Sequence, residues 1–466
     1  MAKLNYAGEY SVSHLKLMSS SGNVVDLSRT YISLSLFEDI FSTSMTGIIV
    51  LTDANNILMN MPITGQDYLS LKIETPSLEQ HAIDYTETVF SITKVDTRID
   101  AKGAQVVQLH FCSPEMLRNQ RTRISRSYTS TISNIVYDVL NNAKYINTSK
   151  ELFIEPTKNI RKLVVPNSHP FDLVRRLMRE TESNEYSSPH YLFYENTLGI
   201  HFRSVESLFR QATTGFYHAG DVGNIDKKTN VEQEFYRVIN YNVNSNNDTV
   251  ANIIGGMLAS KIITHDVISK SYSVDRHDYF QDFYKYKRIN YNNVGKDNPI
   301  YNEVSLDEFG NNLGNFDDSV LHVHPTSTIN GNDAQHYFEL KNGNKITKYT
   351  PNALSKTYLK RKAKFMELNA GTSVTMQVNG NTTIACGDIV EFNMPVIGTE
   401  HTKDSSDIYY SGRYLISHLR HIFDAPSKKH QIAMTLVKDS ISQELPQNKD
   451  GTEPKGDKGM LHTQFY

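Results

Sequence analysis

The sequence predicts a mainly β protein of the α+β class, with two similar antiparallel β-barrel domains, an α/β connecting domain and an inserted lobe. Three observations support this prediction. One β pattern occurs twice, apolar residues alternate with polar ones as in half-buried strands, and the period becomes helical between the two copies. With 466 residues, the chain is long enough for several domains, each with its own core.

The repeated pattern occupies residues 65–111 and 387–437. Each copy opens with a turn, at Gly65 or Gly387, and continues as three strands whose lengths and spacings agree. In each first strand, apolar side chains point one way and polar side chains the other. The apolar residues are Leu69, Leu71 and Ile73 in the first copy and Val390, Phe392 and Met394 in the second. Residue identity between the copies is low, so two unrelated β-meanders remain an alternative.

The middle of the chain has helical signals. Ser113 can cap a first helix with Pro114 at its first position, and we expect this helix to extend through Arg126. A second helix is predicted from a cap near Thr129, and a third starts at Ser168. A β-hairpin is predicted over residues 191–202.

These patterns divide the chain into five parts. The predicted domains are a first β domain (1–112), the α/β connecting domain (113–214), a second β domain (215–274 and 365–440), an inserted lobe with a helix (275–364) and a flexible tail (441–466). The tail is rich in Pro, Gly, Lys and Asp, and such a composition buries too little apolar surface to fold by itself.

Composition excludes several classes of protein. A net charge of -3 argues against a dedicated nucleic-acid binder, which would have a strongly basic domain. The two cysteines, Cys112 and Cys386, suit a reducing compartment better than a disulfide framework. No apolar run approaches the roughly 20 residues that span a bilayer. We therefore expect a soluble protein without membrane insertion.

Candidate catalytic and metal-ligating residues are few. The nearest approach to a metal cluster is formed by three histidines, but no carboxylate or cysteine has ligand spacing beside them. Three glutamates could suggest a glycosidase pair, but a charged helix end explains them equally well. The histidines are His322, His324 and His336, and the glutamates are Glu180, Glu182 and Glu185. The sequence therefore predicts no metal, no cofactor and no enzyme activity.

Several segments together resemble a known family. The strand Gly387-Asp388-Ile389-Val390-Glu391-Phe392 follows a helix rich in Lys and Arg, and Tyr414-Leu415-Ile416-Ser417-His418-Leu419 comes after it. Thr264-His265-Asp266 precedes Lys270-Ser271-Tyr272. This arrangement resembles the central hub protein of contractile-phage baseplates, as in T4-like bacteriophages. The likeness covers most of the chain, although no single motif is diagnostic and the insert and tail are longer here.

The resemblance implies that the two β domains are tube domains of a homotrimer with pseudo-sixfold symmetry. Such a ring joins tail-tube or tube-initiator proteins above to the central spike protein below, and baseplate wedge proteins surround it. Its channel passes the tape-measure protein, and DNA only in transit. The implied location is the tail baseplate of the virion, assembled in the host cytoplasm.

The polar faces of the repeated strands are candidates for the channel lining, because a passage for DNA must be hydrated without holding phosphates strongly. An ordinary outer surface is the alternative interpretation of these faces. The candidate lining residues are Ser70, Lys72, Glu74, Glu391, Asn393, His418 and Arg420.

Three other functions remain open at this point. A tail-associated cell-wall hydrolase would have muramidase or peptidase activity. The hub portion of a type VI-like injection spike would require a β-helical extension, and residues 443–466 are too few for one. A carbohydrate-binding tail protein is the third alternative, because the insert is rich in tyrosine.

Overall fold

The computed structural model describes residues 5–53, 63, 65–76, 78, 81–101, 104–219, 234–245, 248–266, 270–290, 297–301, 310–326, 337–341, 344–349, 354–395, 406–407 and 409–441. The predicted flexible tail lies outside these residues, apart from Ile441. Strands hold 48% of the described residues and helices 19%, which confirms the prediction of a mainly β protein. No helix in the described ranges is long and apolar enough to cross a membrane.

The first β unit is an antiparallel sheet with strand order β3-β4-β7-β6-β5-β1, and β2 pairs with the outer side of β1. Its alternating apolar residues meet in one core that includes Leu34, Ile49, Leu69, Phe90 and Phe111. The strands are β1 (Ser11–Met18), β2 (Val24–Asp26), β3 (Tyr31–Asp39), β4 (Thr46–Asp53), β5 (Tyr68–Glu74), β6 (Ile83–Ala101) and β7 (Ala104–Cys112).

The α/β part that follows has a separate core. Its first helix ends at Arg121, because Thr122 takes an extended backbone; the prediction that the helix reaches Arg126 is wrong, and Arg126 lies on a strand. The second helix begins at Ile132, with Thr131 as its cap. The elements are α1 (Pro114–Arg121), β8 (Ile124–Ser130), α2 (Ile132–Asn141), β9 (Leu152–Ile154), β10 (Arg161–Ser168), α3 (Pro170–Met178), β11 (Tyr191–Asn196), β12 (Gly199–Ser204) and α4 (Val205–Phe209).

The rest of the chain forms a second β unit with an insert. In chain order, its elements are β13 (Thr213–His218), β14 (Val238–Ser245), α5 (Thr249–Gly255), β15 (Ala259–Asp266), β16 (Ser271–Asp278), α6 (Tyr279–Phe283), β17 (Leu321–Thr326), β18 (Tyr337–Lys341), β19 (Asn344–Tyr349), α7 (Leu354–Ala370), β20 (Thr372–Asn379), β21 (Ile389–Asn393), β22 (Gly412–Asp424) and β23 (Lys429–Val437), with a short 3-10 helix at Asp317–Ser319.

We call the elements between β14 and β20 the insert, and they begin earlier in the chain than the predicted lobe at 275–364. The insert has its own small sheet, in the order β16-β15-β17, and α7 packs against β15 and β16. Within the part of the chain that the structure describes, strands β18 and β19 pair only with each other. Below the sheet, a small apolar cluster contains Leu258, Tyr279, Phe280 and Phe283. The insert enters between β14 and β20, so it leaves the strand order of the second β unit intact.

The second β unit repeats the first in strand order. Its sheet runs β14-β20-β23-β22-β21-β13, which matches β3-β4-β7-β6-β5-β1 strand for strand in chain order as well as in space. The last strand differs in direction, because β13 is parallel to β21 whereas β1 is antiparallel to β5. The duplicated β unit expected from the sequence is therefore confirmed in the backbone.

Two irregularities of the first unit recur in the second, although β6 has a further bulge, between Val95 and Arg98, that β22 lacks. Ile32 on β3 and Ile239 on β14 are extra residues at equivalent places against β4 and β20. Thr93 on β6 and Ser417 on β22 are extra residues at equivalent places against β7 and β23. Because β-bulges are specific features rather than random defects, their agreement makes two unrelated β-meanders a poor explanation.

Strand β22 joins the two units. Its first residues pair with β21, and residues 418–424 pair with β3 from Asp39 to Ser33. We call this β3–β22 pairing the joint. It merges both units into one 13-stranded sheet. Among the described residues, the strand pairs of this sheet form an open path and close neither unit into a barrel.

Candidate functional site

The long sheet has one polar face, on the side away from the apolar cores of the two units. At the joint, Leu419 points to the core and is 2% exposed, whereas His418 and Arg420 point to the polar face. Their neighbours on β3 are Asp39 and Phe37. The joint thus places charged and aromatic side chains of both units on one surface.

A cavity of 400 Å³ opens on the polar face directly over the joint. Residues from both units line it, so its shape depends on the strands staying paired. The lining includes Phe37, Asp39, Thr46, Thr375, His418 and Arg420.

Charges at the joint have local partners. The guanidinium of Arg420 lies 5.3 Å from the centre of the Phe37 ring and donates to Ser35 Oγ at 3.1 Å. The Nε2 atom of His418 lies 3.5 Å from Asp39 Oδ1. Both contacts cross from β22 to β3, so they hold the polar side of the joint in one arrangement.

The candidates of the first unit lie on the same polar face, farther along the sheet. The ammonium of Lys72 lies 3.4 Å from Glu74 and 3.3 Å from Asp84. Hydrogen bonding to Asp84 raises the pKa of Lys72, which stays charged. Ser70, opposite Lys16 of β1, is only 2% exposed and contributes little surface.

The candidates on β21 lie at the other end of the second unit. Glu391 is opposite Arg413 of β22, and the buried guanidinium of Arg413 donates to the carbonyl of Gln211 at 2.9 Å. Asn393 is exposed and lies opposite His218 of β13. Of the predicted lining residues, the structure brings His418 and Arg420 together and Lys72 and Glu74 together. It leaves Glu391 and Asn393 apart from both pairs.

The core side of the joint contains a polar network that sequence reasoning missed. Buried Glu38 accepts the backbone N–H of Cys386 at 2.7 Å and that of Thr197 at 3.2 Å. Next to it, His421 Nδ1 is 3.0 Å from His430 Nε2. A sequence signal existed, because alternation along β3 puts Glu38 in phase with Leu34 and Leu36. Glu38 therefore links the first unit, the connecting part and the second unit.

His430 is packed tightly beside this network. Its ring stacks on Phe423 with centroids 4.2 Å apart, and a Cβ atom at Gly380 would come within 2.5 Å of it. Burial and, to a lesser extent, the neighbouring His421 lower the pKa of His430 well below its ordinary value. The folded protein therefore holds His430 neutral.

Comparison with known proteins identifies the fold. No protein-family model matches the sequence, and no curated protein matches it significantly. The tail protein from Neisseria meningitidis MC58 is similar with a TM-score of 0.52 and 9% identity, over 92% of this chain and 97% of that chain. This chain thus shares the fold of that tail protein, which supports the resemblance inferred from the sequence at the level of fold.

Two further tail proteins are similar at lower scores. The 43 kDa tail protein of prophage MuSo2 from Shewanella oneidensis has a TM-score of 0.49 and 8% identity, over 91% of this chain and 98% of that chain. A prophage tail protein from Listeria monocytogenes EGD-e has a TM-score of 0.46 and 11% identity, over 91% and 94%.

We predict that His430 makes folding stability depend on pH. The pKa of an unfolded histidine is about 6.5. The folded pKa is lower, so the unfolded chain binds the extra proton and stability falls as pH drops below about 6.5. The slope from one such histidine approaches about 1.4 kcal/mol per pH unit. Denaturant unfolding of His430→Gln between pH 7.5 and 5 should give a flatter profile than the natural sequence.

The exposed residue His81 supplies the control for this experiment. His81→Gln should keep the slope of the natural sequence, because this side chain is exposed in the folded protein and is not buried by folding. An unchanged slope in His430→Gln would contradict the assignment of a neutral buried imidazole.

Proposed function

We propose that this protein is the structural hub subunit of a phage tail baseplate. Three copies form a ring of pseudo-sixfold symmetry that joins the hexameric tail tube to the trimeric central spike. The ring surrounds a channel for DNA and tape-measure protein. The observation that carries this proposal is the pair of β units with equal strand order and two shared bulges, joined side by side in one sheet.

The duplicated β unit would let a trimer match a hexameric partner. A ring of three chains with two similar units each offers six similar surfaces to a hexameric tube. The same ring keeps threefold symmetry for a trimeric spike, because the connecting part and the insert occur once per chain. Tail-tube or tube-initiator proteins are thus the proposed partners on one side, the spike protein is the partner on the other, and wedge proteins lie around the ring.

The polar face of the long sheet is the proposed channel lining. Its cations are partnered locally, as in the contacts of Lys72 with Glu74 and Asp84 and the stacking of Arg420 on Phe37. Unpaired cations would hold phosphates and make affinity for DNA strongly dependent on salt. A hydrated face with balanced charge lets a DNA molecule pass without being retained.

A mechanical rather than catalytic role agrees with the state of both cysteines. Burial raises the pKa of Cys112 to about 11 and that of Cys386 well above its ordinary value. Neither thiol is therefore a thiolate at neutral pH, which a cysteine nucleophile needs to be. We place the protein in the tail baseplate of the virion, after assembly in the host cytoplasm.

The first expected result is the mass of the purified protein in solution. Light scattering should give three times 53.0 kDa, and negative-stain averages should have six lobes around a hole. A compact monomer at concentrations well above micromolar would contradict the proposal. Muramidase or peptidase activity in the same preparation would instead support a cell-wall hydrolase.

Charge reversal tests the channel lining. A phage carrying both Glu74→Lys and Glu391→Lys should assemble trimers of normal mass but eject its genome more slowly, because the added cations attract phosphates. Both glutamates are partly exposed, so neither change buries a charge. DNA release from purified virions measures the rate.

The matched control reverses two exposed glutamates of the connecting part, Glu151→Lys and Glu185→Lys. It adds the same charge away from the polar face and should leave ejection unchanged. Normal ejection in both double variants would argue for an outer surface instead of a channel wall.

A further inference from the structure

Several strand edges of the long sheet have no strand partner among the described residues, including the outer edges of β2 and β13. Two others are equivalent to the strands of the joint. One is the outer edge of β14, at the end of the sheet. The other is the edge of β6 beyond Ser91, where pairing with β5 stops while pairing with β7 continues to Ala101. Open edges of this kind present rows of unpaired N–H and C=O groups to any strand that fits.

These edges are the equivalents of the two edges that pair in the joint. The bulges align β14 with β3, so that Asn244 corresponds to Phe37. They also align β6 with β22 as far as Val95, which corresponds to Leu419; after Val95, β6 has a further bulge that β22 lacks. In the joint, β3 and β22 pair antiparallel. The chain therefore contains one formed joint, between β3 and β22, and two equivalent strand edges, on β14 and β6, that are not paired. We call these two edges the separate halves of the joint.

Side-chain exposure distinguishes the formed joint from its separate halves. On the core side of β3, Leu34 and Leu36 are 0% exposed beneath β22. Their equivalents on β14, Tyr241 and Val243, are only partly buried. On the other half, Val95 is opposite the buried core residue Leu109, yet it is 39% exposed, whereas its equivalent Leu419 is 2% exposed. At both open edges, the core-facing residues thus lack the neighbouring strand that covers their equivalents in the joint.

The two halves do not pair with each other within the described chain. Strand β14 is the end strand of the sheet, and β20, β23, β22, β3, β4 and β7 lie between it and β6. A second copy can supply the partner that each half lacks. Such a contact is head-to-tail, with different surfaces on the two partners, and repeated contacts of this type form a ring when the rotation closes.

We propose that β14 of one chain pairs antiparallel with β6 of a neighbouring copy in the register of the joint. In the joint, Glu38 is opposite Leu419. The corresponding pair between copies is Ser245 of one chain and Val95 of its neighbour. This inference rests on the proposed ring, and it specifies the strands that close it. The asparagines of β14 then continue the polar face across the contact, from Asn240 to Asn244.

Cysteine cross-linking tests the register. A double variant with Val95→Cys and Ser245→Cys places two thiols directly opposite each other between copies, and Cβ atoms at such positions are about 4.5–5.5 Å apart. Mild oxidation should give covalent dimers and trimers on a non-reducing gel, and a reductant should return them to monomers. The two natural cysteines are buried and free, so they give a low background.

The matched control combines Val95→Cys with Asn240→Cys. Position 240 is on the same strand, five residues from 245, which is about 17 Å at ~3.3 Å per residue and too far for a disulfide. No covalent multimers should form in this variant. Equal cross-linking in both variants would overturn the proposed register.

The outcomes separate this inference from the proposed function. A trimer by light scattering in which the 95–245 pair fails to cross-link would overturn the strand pairing and leave the ring standing. A monomer would overturn both. Hydrogen exchange on the unmodified trimer gives an independent measurement: amides on the outer edge of β14 should exchange as slowly as those of β3 that face β22. Fast exchange at β14 would contradict the inference even where a cysteine variant does not fold.

Discussion

The pairing of β3 with β22 is the contact on which the rest of the structure depends. It aligns seven residue pairs across the boundary between the two units. The same strand supplies Phe423 to the first core and Leu419 to the second, while Ile40 after β3 belongs to the second core. Separation of these strands would uncover both cores at once and leave buried Glu38 without the Cys386 amide.

Buried ion pairs fix the other parts around this joint. Lys150 lies between Glu115 and Glu195, and Glu195 also accepts the backbone N–H of Met45, so the first unit is tied to the connecting part. Arg288 of the insert lies 2.6 Å from Glu367 of α7. Breaking one partner of such a pair costs about 3–5 kcal/mol, because the other charge stays buried. These contacts favour one relative arrangement of the parts.

The sequence predicted best those features that depend on residues close together in the chain, such as strands and turns. Two-residue alternation located the strands of both copies, and the turns at Gly65 and Gly387 aligned them correctly. Long-range pairing was not predictable, since Glu38 and Cys386 are 348 residues apart and nothing nearby marks their contact. Ser70 follows the polar alternation but is buried, and Arg126 left its predicted helix because Thr122 becomes extended. Which residues line the channel stays a prediction, because lining depends on neighbouring copies.

The most direct test of the account is the rotation that relates neighbouring units in an electron cryomicroscopy map of the assembled protein. If the joint between β3 and β22 is repeated between chains, the rotation from the first unit to the second should equal the rotation from the second unit to the first unit of the next chain. Both rotations should be about 60° around one axis. Two clearly different rotations, or no strand density between β14 and β6 of neighbouring copies, would contradict the central claim.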